Sequence, residues 1–534
     1  MSLTIFYNAR IQTQDHRLPT ASAVALEGSR IRAVGTDAEV EALANAQTVR
    51  INLEGRRVLP GLTDAHFHYY EWAFGRQRLE LSRTRSIAEL QTLLGEKARA
   101  STPGAWIMGR GWNENNWSDR RLISRADLDA LTPLNPTLLV RGDGHMAVAN
   151  SLALAAAHLN SESPDPPQGV IDREASGQPS GVLRELAINL IRKVIPPYTD
   201  DETVRTLRAG FHELHQLGLT GVHDFRSLGG RDGPPALRAY QLLRAAGELA
   251  LRMWALLPGE RLDEAIALGL RTGFGDEVLR LGQVKFFTDG SQGSRSAWML
   301  DPYEDTQTFG MPLQPMQEIL EALQRAHAAG LALAIHAIGD RANRELVNVF
   351  ELAKSTAGNP ALAAPDRIEH AQNIRPEDVA RLGQLGVIAS VQPIHLPDDI
   401  SMIEQSVGAR GRWSYPFQSM TAAGVPLAFG SDSPVASANP FWGIHAAVTR
   451  SRQDGTPAGG FYPGQSLSVD QAVHGYSMGA AAACGRQADL GSITPGKLAD
   501  LVVLEQDIYS IEPNRIYEVK PFMTIFDGQI VHQA

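Results

Sequence analysis

Cysteine is nearly absent: 534 residues hold one, Cys484, so the chain closes no internal disulfide. It lies in the small-residue run Gly479-Ala-Ala-Ala-Ala-Cys484, where a buried small side chain is the expected role. Long apolar runs are missing too, none approaching the roughly 18 residues of a membrane span. The opening Met1-Ser-Leu-Thr-Ile-Phe-Tyr-Asn8 lacks the charged-then-apolar pattern of a signal peptide, so a cytoplasmic protein without membrane partners is expected. Cationic excess is also lacking. With 49 Lys and Arg against 59 Asp and Glu the net charge is −10, which excludes a nucleic-acid footprint and leaves a small molecule as the expected partner.

What remains is an ordinary globular composition, 43% hydrophobic and 20% charged. At roughly 150 residues per domain the length allows two to four domains, or one large barrel with an appended module. Short alternating strands cluster at both ends, at Thr4–Ile11, Ala23–Leu26 and Arg30–Val34, and again at Ala499–Leu504 and Thr524–Val531. Residues 1–57 and 488–534 are therefore expected to form one small β-sandwich domain. Between them, in 58–487, apolar runs alternate with helical patterns, as in βαβ units around a parallel sheet. Eight strands are predicted: Arg57–Leu62, Leu219–Phe225, Leu249–Leu257, Gly282–Thr288, Leu331–His336, Arg367–His370, Val387–Val391 and Leu427–Ser431. Eight is the count of an α/β TIM (β/α)8 barrel, whose chemistry sits at the C-terminal strand ends. The stretch 70–205 is too long for one barrel helix, has its own strand-like Thr137–Arg141, and is expected to be a large insertion after the first barrel strand, over the mouth.

His66 and His68, two apart in an extended segment, send both imidazoles to one side, where they can share a metal. The spacing alone is weak evidence. His336 and His370 each end a strand-like run, where barrel ligands belong. Asp432 ends the last predicted strand and can bind metal and carry a proton, or merely form an Asx turn before Pro434. Lys285 stands inside the apolar Gln283-Val-Lys-Phe-Phe287, where burial favours the neutral amine, which can add carbon dioxide to become a carbamate ligand. The alternative is a lysine paired with Asp289.

His-x-His after the first strand, Lys on the fourth, His on the fifth and sixth and Asp on the eighth resemble the amidohydrolase superfamily. Pro60-Gly-Leu-Thr-Asp-Ala-His-Phe-His68 and Gly491-Ser-Ile-Thr-Pro-Gly-Lys-Leu-Ala-Asp-Leu-Val-Val503 are similar to that family as well. The resemblance implies metal ligands His66, His68, Lys285, His336, His370 and Asp432, with Asp432 catalytic. It implies one or two Zn²⁺ ions or other divalent metals, a carboxylated Lys285 and, at family level, a homodimer. Gly109-Arg-Gly-Trp-Asn113, Arg141-Gly-Asp-Gly-His145 and Phe287-Thr-Asp-Gly-Ser-Gln-Gly-Ser-Arg295 resemble the amidohydrolase 3 branch that includes N-substituted formamide deformylase. By that resemblance Trp112, Asp143, His145 and Arg295 face the substrate. Ser433 departs from the branch, where many relatives carry tryptophan, and a wider pocket is expected. The implied activity is hydrolysis of a non-peptide carbon–nitrogen bond by metal-activated water. Ester or lactone hydrolysis, an isomerase or lyase reaction, and a non-catalytic assembly role on the same fold stay open.

Overall fold

The computed structural model describes residues 3–114, 117–119, 121–142, 145–167, 169–357 and 361–534. The chain forms two compact units, Met1–Trp72 with Thr203–Ala534, and Ala73–Glu202.

In the first unit eight parallel strands follow one another round a nearly closed barrel. They are β1 (Leu62–Phe67), β2 (Leu219–Asp224), β3 (Arg252–Pro258), β4 (Leu279–Phe287), β5 (Leu333–Ala337), β6 (Arg367–His370), β7 (Ile388–Val391) and β8 (Leu427–Phe429). Helices pack outside with one apolar face. Met316–Ala329, for example, buries Ile319, Leu320, Leu323 and Ala326 at helical spacing and ends at Gly330, whose φ of 79° suits a left-handed cap.

The seam between β8 and β1 is closed by loop backbone and by a carboxylate. Asp432 N–H donates to His66 O at 2.7 Å and His68 N–H to Ser433 O at 2.9 Å. Asp64, 1% exposed, accepts from His66 N at 3.1 Å and from Ser431 N at 3.0 and 3.1 Å. Burial pushes its carboxyl up to about 7 against these N–H donors, which favour the charged form. Gly430 allows the approach, since a Cβ there would lie 2.4 Å from His66 N.

The predicted first strand, Arg57–Leu62, is corrected. Arg57–Pro60 pairs with Leu501–Leu504 and Arg10–Gln12 in a separate six-stranded sheet, and the barrel strand starts at Leu62. The chain crosses between sheets at Gly61, where a Cβ would sit 2.4 Å from Thr220 Oγ1. One continuous extended run thus serves two sheets, which alternation alone does not reveal. The six-stranded sheet and a four-stranded one, with strands Arg30–Gly35, Ala23–Glu27, Leu3–Tyr7 and Val49–Asn52, share a core containing Phe6, Ile11, Val24, Val58, Val503 and Ile525. Both termini therefore build one β-sandwich.

The second unit is the insertion after β1. It has its own six-stranded sheet, which includes Thr137–Arg141, and a helix Ile87–Ala100 capped by the Ser86 side chain. Cys484 is buried and free, as expected. Among the described residues no helix is long and apolar enough to cross a membrane.

If Asp64 fastens the seam, Asp64→Ala strands the buried N–H groups of His66 on β1 and Ser431 just beyond β8 and should lower stability by about 2–4 kcal/mol, with Asp64→Asn costing less. Urea unfolding of both variants checks this; equal midpoints for Asp64→Ala and wild type would remove the seam role.

Candidate metal centre

Strand alternation puts His66 and His68 on one side at the end of β1, and the seam brings Asp432 to them. Asp432 Oδ1 lies 3.1 Å from His68 Nε2 and 3.4 Å from His66 Nε2. One ligand atom from each of the three residues falls within 4.8 Å of the others. His66 Nδ1 donates to Glu369 Oε2 at 2.6 Å, so its Nε2 keeps the lone pair that faces Asp432. An imidazole lone pair and a carboxylate oxygen repel at this range unless a cation or proton lies between them. The donor set therefore fits a divalent metal.

His336 ends β5 and His370 ends β6, their ring centroids 4.5 Å apart, with His370 5.0 Å from His66. Burial pushes His336 down to about 3 and His370 well below its ordinary value, so both are neutral imidazoles with a lone pair to offer. His336 Nε2 donates to Gly290 O at 3.2 Å, which leaves Nδ1 free. His370 at φ 72° and Asp432 at φ 57° both adopt the left-handed backbone that non-glycine residues rarely take, a conformation held where structure over-determines it.

Lys285 is fully buried on β4, its Nζ 4.5 Å from the Phe287 ring centroid and 5.1 Å from that of Phe225. Burial pushes its ammonium down to about 8, although Glu369 and Asp432 pull the other way. Asp289 is not its partner. That carboxylate accepts backbone N–H groups from Trp298, Ile338 and Gly339 at 2.8–3.0 Å. The six anticipated ligands all line one cavity of about 460 Å³.

Glu369 was not anticipated. It is 0% exposed, paired with Arg367 at 2.8 Å, and although burial would raise its carboxyl, Arg367 and His66 hold it at about 2. It reaches the cluster through His66. The signal was present in Arg367-Ile-Glu-His370: a Glu and an Arg two apart share a strand face, and both point into the barrel.

Of the anticipated substrate residues, Arg295 belongs to the barrel unit, Trp112 and His145 to the insertion. Trp112 is 0% exposed in the core of the insertion, its Nε1 donating to Leu139 O at 3.0 Å. Arg295 does not line the cavity; it chelates Asp305 and donates to Gln292 O at 2.8 Å. His145 Nδ1 lies 2.9 Å from Glu185 Oε2 on the insertion, and Asp143 lies outside the described residues. Ser433 is 1% exposed at the seam and does not line the cavity. From the same loop as Arg295 it is Gln292 that reaches the wall, its Oε1 accepting from Gln372 at 3.1 Å and from Asn373 at 2.9 Å.

The sequence model of the Amidohydrolase family matches residues 50–532. Over 507 residues the chain is 35% identical to Protein LONG AFTER FAR-RED 3 of Arabidopsis thaliana, covering 93% of this chain and 86% of that one. It is 27% identical to N-substituted formamide deformylase of Arthrobacter pascens, covering 98% and 97%. The crystal structure of a metal-dependent hydrolase from Pyrococcus horikoshii superposes with a TM-score of 0.80 at 28% identity, covering 96% and 99%.

Removing the Glu369 charge should loosen metal by way of His66. Glu369→Gln is expected to weaken Zn²⁺ binding about 10–100-fold, read by competition with a chromophoric chelator. Unchanged affinity would detach Glu369 from the centre.

Proposed function

The chain belongs to the amidohydrolase family, and on that premise we propose that it is a metal-dependent hydrolase cleaving a non-peptide, amide-type carbon–nitrogen bond. The observation that carries this reading is the convergence of His66, His68 and Asp432 on a cavity that His336, His370 and Lys285 also line. Its full-length likeness to a formamide deformylase supports an amide-type bond.

His66, His68, His336, His370 and Asp432 would hold one or two divalent ions, zinc being suited to neutral imidazoles and carboxylates. When bound, the metal supplies Lewis acidity, making water nucleophilic near neutral pH and polarising the carbonyl. Asp432 takes the proton of the attacking water and delivers it to the leaving nitrogen. With a divalent ion held between it and both Nε2 atoms, Asp432 would stay ionised, so it starts as the base. Lys285, with part of its amine neutral near pH 7–8, adds carbon dioxide: an N–C bond forms, one proton leaves, and the product is an anionic ligand. The stacking of His66 on Phe225, with centroids 3.8 Å apart and planes within 8°, holds the ring in place while protons move.

Asp432→Asn should retain metal at least in part and lower turnover about 10²–10⁴-fold, measured on N-formyl, N-acyl and cyclic amides with ¹⁸O-labelled water. Label in the acid product shows hydrolysis. Near-normal turnover would take Asp432 out of the role, and turnover without label would point to a lyase or isomerase. A protein that takes up no metal even after supplementation would favour an assembly role.

Reconstitution tests Lys285. Zinc uptake in carbon dioxide-free buffer should fall short of that with bicarbonate, and Lys285→Arg should abolish the difference. Equal uptake in both buffers would exclude the carbamate.

A further inference from the structure

The cavity wall is uneven in charge. Apart from histidines, its ionisable lining side chains are Lys285 and Asp432, which belong to the metal centre, and Asp399. Among the described residues no arginine lines it, so nothing on the wall is suited to a carboxylate or phosphate tail on the substrate.

Asp399 lies in the first turn of the helix Leu396–Val407. Its Oδ2 accepts from Tyr415 Oη–H at 2.5 Å and from Gln372 Nε2 at 3.2 Å. Gln372, two residues beyond His370, is itself held by Gln292 at 3.1 Å. The carboxylate is therefore fixed in orientation from one side. Among the described residues nothing donates to Oδ1 and no Lys or Arg pairs with the group, while burial pushes its carboxyl above the ordinary range. A half-buried carboxylate held by one oxygen and facing a cavity is an acceptor with its other oxygen open to a donor that the chain does not supply. The same cavity that holds Asp399 and the histidines is also lined by apolar surface from Ile338 and Met402, and by Leu228 and Val435 at 69% and 73% exposure.

Resting on the hydrolase reading above, we infer that the substrate is an amide-type compound bearing a protonated amine beyond an apolar spacer, with Asp399 Oδ1 receiving the ammonium. The metal centre acts on the amide, and Asp399 selects the molecule by its far end. His395 on the same wall already favours the charged form of Asp399; an ammonium adds a direct partner, and a charge-assisted bond in a half-buried site discriminates against an uncharged tail.

The probes are N-formyl-1,3-diaminopropane, N-formyl-1,4-diaminobutane and N-formyl-1,5-diaminopentane. Each is set against the N-formylalkylamine with methyl in place of ammonium, and the middle one also against N-formyl-5-aminopentanoate. The zinc-loaded wild type should favour at least one ammonium compound over its methyl counterpart about 10–100-fold in kcat/KM and should favour the carboxylate least. Asp399→Asn should bring the ammonium-to-methyl ratio near one, whereas Tyr415→Phe, which keeps the charge, should keep the preference. Hydrolysis with a wild-type ratio near one for every spacer overturns the inference whatever the variants do, and so does a preference that survives Asp399→Asn. If no amide is cleaved, calorimetric binding decides: an ammonium preference lost in Asp399→Asn keeps this inference and removes the hydrolase reading, while equal affinities remove both.

Discussion

At the centre of the barrel lies a guanidinium with no solvent exposure, on which the rest of the site depends. Arg367, on β6, donates to Ala65 O of β1 at 2.6 Å and to Ser390 Oγ of β7 at 2.7 Å, meets His223 Nδ1 of β2 at 2.8 Å, and pairs with Glu369. A buried charge is tolerable only when it is paired, and here Glu369 supplies the counter-charge while acceptors from three other strands take up the terminal N–H groups. His223 can accept because burial, with Arg367 beside it, keeps its ring neutral. The negative charge that balances Arg367 lies on Glu369, which turns it toward His66. The ion pair inside the barrel thus sets the tautomer of a ligand at the barrel end. Replacing Arg367 would leave Glu369 buried without its cation, so the consequence would reach both the fold and His66.

Three further carboxylates work in a related way around the ring. Asp64 of β1 takes the Ser431 N–H just beyond β8, Asp224 of β2 takes the Tyr69 N–H just beyond β1 at 2.8 Å, and Asp289 beyond β4 takes Ile338 and Gly339 beyond β5. Burial raises all three carboxyls. Each joins the outgoing chain of one strand to its neighbour, at the end where the parallel ladder runs out and backbone groups would otherwise lack partners. Three junctions of the face that carries the histidines are stiffened in this way, without crowding the cavity with apolar bulk.

Much of this was legible in the residues. Eight apolar runs announced the barrel, because strands covered on both sides leave a continuous apolar signature, and strand-end positions singled out His336, His370 and Asp432. The handover at Gly61 was not legible, since pairing partners decide which sheet an extended run joins. Arg295 and Trp112 were read through motif resemblance, and both have nearby partners, Asp305 and Leu139 O, that only the folded chain supplies. Glu369 was overlooked for a different reason: a buried charge looks the same in sequence as an exposed one until the strand's inward face is known. Asp399 sits between Asp398, which is exposed, and Ile400, which is buried, and nothing local separates the two aspartates.

The seam carries a consequence for how such a molecule comes into being. Asp64 and Ser431 are 367 residues apart, and Asp432 reaches His66 and His68 only across that junction. During synthesis the two histidines emerge early and wait, while the carboxylate that completes their set arrives after some four-fifths of the polypeptide. A nascent or truncated chain therefore offers imidazoles but no finished coordination shell. The full set of donors thus exists only once the ring has closed, and any product that stops before Asp432 lacks it.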